Sequence, residues 1–182
     1  MRPSYRRFQS VLVHLLIGGV LTLLIAALFV SPERLLLSAG DIFAPDPAQA
    51  QTITTDCAVQ TDVPQAECEA LLALYTATDG PNWSWWGYGW AQDNDICNWA
   101  GVGCDSGSVQ ILDLYQFGLN GSIPPELGNL TNLQGLYLIF NQLSGSIPPE
   151  LGNLTNLTNL DLFNNQLSGS IPPELGTLTN LQ

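Results

Sequence analysis

Three stretches of this chain are nearly the same fourteen residues, set 24 positions apart: Asn120 to Leu133 reads NGSIPPELGNLTNL, Ser144 to Leu157 reads SGSIPPELGNLTNL, and Ser168 to Leu181 reads SGSIPPELGTLTNL. A unit of this length cannot bury its own apolar face, whereas stacked units can, so a fixed period of roughly 20 to 50 residues specifies a solenoid. The leucines keep one spacing throughout, L-x-x-L-x-x-L-x-L-x-x-N-x-L. It is filled by Leu130, Leu133, Leu136, Leu138, Asn141 and Leu143, and again by Leu154, Leu157, Leu160, Leu162, Asn165 and Leu167.

The residue types predict the course of each coil. The L-x-L pairs, Leu112 with Leu114, Leu136 with Leu138 and Leu160 with Leu162, alternate inward as a short strand does. Stacking them gives a parallel sheet on the concave face. Asn141 and Asn165 follow where the chain turns inward, and a buried amide there can satisfy backbone groups of its own coil and the next. Gly145 and Gly169 permit a tight corner, and the Ile-Pro-Pro steps end any strand, since proline cannot donate to a ladder. The expected fold is therefore a solenoid with short parallel strands inside and 3-10 or polyproline segments on the convex side, over residues 109–182.

A solenoid needs its first coil covered, and residues 57–108 are suited to it. Glu67 to Tyr75, ECEALLALY, predicts a short amphipathic helix with acidic residues in its first turn. Trp83, Trp85, Trp86, Trp90 and Trp99 supply large apolar area to a small cap, with a sugar-stacking platform as the alternative for Trp85 and Trp86. Cys57, Cys68, Cys97 and Cys104 form an even set. Three pairings are formally possible; loop closure favours Cys57 with Cys68 and Cys97 with Cys104, and the spacings are wrong for zinc.

Ahead of the cap, Val11 to Val30 is an uncharged apolar run, long enough as a helix to span about 30 Å of hydrocarbon. Arg2, Arg6 and Arg7 precede it, so the N-terminus is expected inside and the remainder exported. Residues 1–30 read as a signal peptide or an anchor holding the chain to the membrane through residues 11–30, and cleavage after Ala50 would make the protein secreted. Residues 31–56, rich in Pro, Ala, Asp and Thr, read as a flexible stalk.

The charges exclude much. Beyond Arg34 there is no Lys, Arg or His, while 15 of the 16 carboxylates lie there, so no basic surface exists to grip nucleic acid. A Ser/His/Asp set, a P-loop lysine and a histidine metal ligand are equally absent from that part, and no cofactor or metal is expected. Of common enzyme chemistries only a carboxylate pair survives, with Asp113 and Asp161 as the candidates.

The repeat resembles the leucine-rich repeat family, in its plant-type subclass with the pattern LxxLxxLxLxxNxLxGxIPxxLGxL, over roughly residues 109 to 182. Cys97 to Asp105, CNWAGVGCD, is similar to the CNWxGVxCD element of the cap that precedes such repeats, and the resemblance implies a cap held by two disulfides. A lone Cys97 replaces the adjacent cysteine pair of plant members, which is similar to exported bacterial proteins carrying this module. Phe117 stands where Asn141 and Asn165 stand, so the first coil is expected to be sealed by the cap rather than by an asparagine.

In such a solenoid the outward side chains of the strand row form one surface across coils. That register selects Asp113, Tyr115 and Gln116, then Tyr137, Ile139 and Phe140, then Asp161, Phe163 and Asn164, with Tyr115, Ile139 and Phe163 in one column and Asp113, Tyr137 and Asp161 beside it. An aromatic, acidic stripe of this kind points to a protein, peptide or glycan ligand and to a non-enzymatic recognition module. The chain stops partway through a fourth coil begun by Leu178 and Leu181, which raises the alternative of a fragment of a larger receptor or adhesin.

Overall fold

The computed structural model describes residues 53–84 and 89–182, all within one unit, Ala50–Gln182. The leader, the stalk up to residue 52 and the pair Trp85 and Trp86 lie outside the described residues.

The cap is built on helix α1, Gln65–Ala77. Its Cys68, Leu71, Leu74 and Tyr75 are buried, and burying each of the two leucines contributes about 1.5–3 kcal/mol. The helix ends where Thr78 directs both its N–H and its hydroxyl to the Leu74 carbonyl, at 3.1 and 2.7 Å. Asp79 then takes a left-handed φ of 59° and reverses the chain. Trp83, Trp90 and Trp99 form the cap core: the Trp83 and Trp90 ring centroids are 4.9 Å apart, as are those of Trp90 and Trp99. Each buried indole N–H has a partner, the carbonyls of Thr78 and Ala100 for Trp83 and Trp90 and the Asp93 carboxylate for Trp99. These three tryptophans are core, as their area suggested.

Both local disulfides form, Cys57 with Cys68 and Cys97 with Cys104. One boundary differs from the sequence reading. Thr54, Thr55 and Asp56, assigned above to the stalk, are bonded to the cap: the Thr54 N–H donates to Ala91 O at 2.8 Å, the Thr55 hydroxyl to Asp93 O, and the Asp56 N–H to the Asn94 side chain at 2.7 Å. The polar composition that suggested a stalk is here the composition of a segment bonded side by side to a loop.

The solenoid begins with an antiparallel hairpin, β1 (Val102–Asp105) and β2 (Ser108–Asp113), after which β4 (Gly135–Tyr137) and β6 (Asn159–Asp161) add in parallel. Leu112, Leu136 and Leu160 are in register across β2, β4 and β6, so one leucine per coil stacks on the next. A second parallel sheet, unforeseen from the sequence, joins β3 (Asn120–Ser122), β5 (Gln142–Gly145) and β7 (Gln166–Leu167). It occupies the corner leading to the prolines, and Gly145 and Gly169 sit there at φ of 78° and 83°, as a tight turn requires.

On the convex side each coil makes a 3-10 turn, Pro125–Asn129, Pro149–Asn153 and Pro173–Thr177. These turns stack so closely that a Cβ on Gly128 would lie 2.4 Å from the Glu150 carbonyl oxygen. Helix α1 packs on the first of them and closes that end of the core.

The asparagines connect coils. Asn141, 8% exposed, donates to Leu114 O and Leu138 O at 2.8 and 3.0 Å and accepts from the N–H groups of Gly118 and Leu119. Asn165 repeats the pattern one coil on, donating to Leu138 O and accepting from Leu143 N–H. Phe117, at the equivalent place in the first coil, packs instead against Trp83 at 6.1 Å, and its carbonyl accepts the Ser84 N–H at 2.7 Å. The cap thus seals the first coil, and Asn141 reaches back to bond that coil's turn.

Candidate functional site

From Ile111 in β2, and along β4, β6 and the residues just after each strand, the odd-numbered side chains face outward while Leu112, Leu114, Leu136 and Leu138 are buried; Val109, at the start of β2, is turned into the core. The outward set includes Asp113, Tyr115, Tyr137, Ile139, Asp161 and Phe163. Tyr115 is 46% exposed and Phe163 68%, large values for rings on a rigid sheet.

One residue per coil, immediately before the asparagine position, has a left-handed backbone: Gln116, Phe140 and Asn164, at φ of 55°, 56° and 55°. Asparagine tolerates this region; phenylalanine does not, and a non-glycine residue there costs about 1–2 kcal/mol. The conformation is held by the ladder, since Gln116 N–H donates to Ile139 O and Phe140 N–H to Phe163 O, both at 3.1 Å.

That backbone redirects the Phe140 ring. The sequence register put Tyr115, Ile139 and Phe163 in one column; in the structure the rings zigzag through Phe140. Its centroid lies 5.6 Å from that of Tyr115 and 5.8 Å from that of Phe163, both edge to face. Ile139 is half-buried. A period of 24 finds equivalent positions but gives no sign of a left-handed residue that sends its side chain toward the neighbouring coil's ring.

The acidic column is placed as the register implied: Asp113, Tyr137 and Asp161 are paired across β2, β4 and β6. Each carboxylate is tied by one oxygen to its own coil, Asp113 accepting Tyr115 N–H at 3.2 Å and Asp161 accepting Phe163 N–H at 3.0 Å. The Tyr137 ring leans away over Gly135, where a Cβ would meet it at 2.8 Å, and toward Ile111. At the cap end, Asp113, Tyr115, Gln116 and Phe117 line an open depression of about 290 Å³. Among the described residues no group of three His, Cys, Asp or Glu side chains is placed to hold a metal ion.

A capped parallel solenoid with one leucine ladder, one asparagine ladder and a second corner sheet defines the class. Residues 131–172 match the family model described as leucine rich repeats, two copies. The repeats are leucine-rich repeats, similar to those of plant receptor ectodomains.

Protein MALE DISCOVERER 2 of Arabidopsis thaliana is 50% identical over 48 residues, which are 26% of this chain and 7% of that protein. The chain spans between 7% and 13% of the length of the first curated relatives it matches. Among solved structures, the BIR2 ectodomain of Arabidopsis thaliana is 37% identical with a TM-score of 0.55, over 67% of this chain and 64% of that one. The Arabidopsis receptor kinase HAESA, in complex with the peptide hormone IDA and the co-receptor SERK1, is 35% identical with a TM-score of 0.56, over 63% of this chain and 20% of that chain.

Proposed function

We propose that this chain is an extracytoplasmic recognition module that binds a peptide or protein segment on its concave face and catalyses no reaction. The observation that carries this reading is the ring row of Tyr115, Phe140 and Phe163, exposed on a sheet fixed by two ladders and a sealed cap. The left-handed turn recurs at Gln116, Phe140 and Asn164, and in the second coil it carries a ring, which places Phe140 at the centre of the row. The similarity to ectodomains such as that of HAESA, whose structure holds a peptide hormone, supports a peptide over a glycan.

Export is part of the proposal. Two disulfides suit an oxidising compartment, and residues 1–30 supply either an anchor or a signal removed after Ala50. The alternative, a part of a larger receptor or adhesin, is favoured by the small share of each curated relative that the chain spans.

The carboxylate-pair glycosidase has little support. Asp113 and Asp161 lie two strands apart, about 9.5 Å at ordinary strand spacing, at the far limit for an inverting pair. Each spends an oxygen on its own backbone.

Selection from a random peptide display library against the full chain tests the reading. Enriched sequences should bind at least tenfold more weakly when Tyr115, Phe140 and Phe163 are all changed to Ser, and should be indifferent to Glu126→Gln with Glu150→Gln on the convex side. Equal binding to the triple variant would refute the concave site.

A further inference from the structure

We propose that the occupant of the concave face is a basic, proline-rich segment in the polyproline II conformation, with cationic side chains three residues apart, lying across the coils over the Tyr115, Phe140 and Phe163 rings. This rests on the concave-face reading above and gives that site a ligand chemistry.

Charge selects the sign. The described residues contain no Lys, Arg or His; of the 16 carboxylates, Glu33, Asp41 and Asp46 fall outside them, leaving 13. Among the described residues the second carboxylate oxygen of Asp113 and of Asp161 has no partner. An acidic or phosphorylated ligand would meet repulsion over the whole unit, whereas a cationic one is steered to it. Guanidinium groups gain further by lying over aromatic faces.

Spacing selects the conformation. Asp113 and Asp161 are separated by two strand steps, about 9.5 Å. A polyproline II helix has three residues per turn and a rise of about 3.1 Å, so its residues i and i+3 point the same way about 9.3 Å apart. In an extended β-segment the same-face residues are about 6.8 or 13.6 Å apart, and neither matches.

Two further features agree. A ligand lying across the coils crosses the strands instead of running along the edge of β6, so it forms no main-chain ladder and a conformation needing none is favoured. The Tyr137 ring leans over Gly135, which clears the line between the two aspartates. In the resulting arrangement one cationic side chain enters the depression lined by Asp113, Tyr115, Gln116 and Phe117, the next reaches Asp161, and the intervening prolines lie on the rings. A segment already in this conformation loses little entropy on binding.

Fluorescence anisotropy on the full chain in mild detergent, with three labelled peptides of one composition, tests this. The peptides are proline-rich and carry two arginines at i and i+2, i and i+3, or i and i+4. At near-physiological salt the i+3 peptide should bind at least tenfold more tightly than the others. Asp113→Asn or Asp161→Asn should abolish that preference, while the charge-matched Glu126→Gln and Glu150→Gln should leave it. Equal affinity for the three peptides, or equal effects of concave and convex variants, would mean diffuse attraction and overturn the proposal. Should neutral or acidic library sequences bind in a way that depends on Phe140 while the arginine peptides do not, the ligand chemistry fails and the concave site stands. Should no peptide depend on the rings, both fail.

Discussion

The side chain of Glu67 accepts the backbone N–H of Val109, 42 residues further along the chain, at 2.7 Å. Glu67 is 2% exposed, so an acid that reads in the sequence as a first-turn partner for the helix dipole is instead the bond that fixes the cap helix to the first solenoid strand. Removing the acceptor strands a buried donor, at about 1–3 kcal/mol. Glu67→Leu should therefore lower stability by that amount in chemical denaturation, and Glu67→Gln, which retains an acceptor, by clearly less. Equal losses would show that the bond to Val109 contributes little.

The two ladder asparagines should not be equivalent. Asn141 is buried and bonds both the coil before it and its own, whereas Asn165 is half-buried and water can reach its partners. Asn141→Ala should cost about 3 kcal/mol and Asn165→Ala about 1 kcal/mol, since only buried groups left unpaired carry the full desolvation cost. Urea unfolding of the two variants measures the difference.

Phe140→Asn separates stability from binding. The substitution removes the two edge-to-face contacts, each worth about 0.5–1.5 kcal/mol, and relieves a left-handed backbone costing about 1–2 kcal/mol. Stability should stay within about 1 kcal/mol of the parent because these effects offset one another. Affinity for concave-face peptides should fall at least tenfold.

With no cation among the described residues, the carboxylates repel without compensation. Salt should stabilise the fold by screening, as the Debye length shrinks from about 30 Å at 0.01 M to about 3 Å at 1 M. A rise of a few degrees in Tm over that range, on the order of 1 kcal/mol, is expected by thermal unfolding in sodium chloride. A flat or falling Tm would contradict it.

Much of this was legible in the sequence because the repeat carries its own register. Leu112, Leu136 and Leu160, and Asp113, Tyr137 and Asp161, align as the 24-residue period requires, and both disulfides follow from loop length. Three features were not. The β3, β5 and β7 sheet forms mostly from Asn, Gly, Ser and Gln around Leu143 and Leu167, too short and polar for a strand pattern, because stacking brings their backbones together. Thr54 to Asp56 look like linker until Ala91 to Asn94 are beside them. The place of Phe140 between Tyr115 and Phe163 depends on a backbone sign that residue spacing does not encode.

Hydrogen exchange, followed by mass spectrometry on the full chain with and without a display-selected peptide, tests the central claim most directly. The account predicts added protection at residues 113–117, 137–141 and 161–165, where the strands run into the left-handed turns. Protection confined to the convex 3-10 turns at 125–129, 149–153 and 173–177 would contradict it.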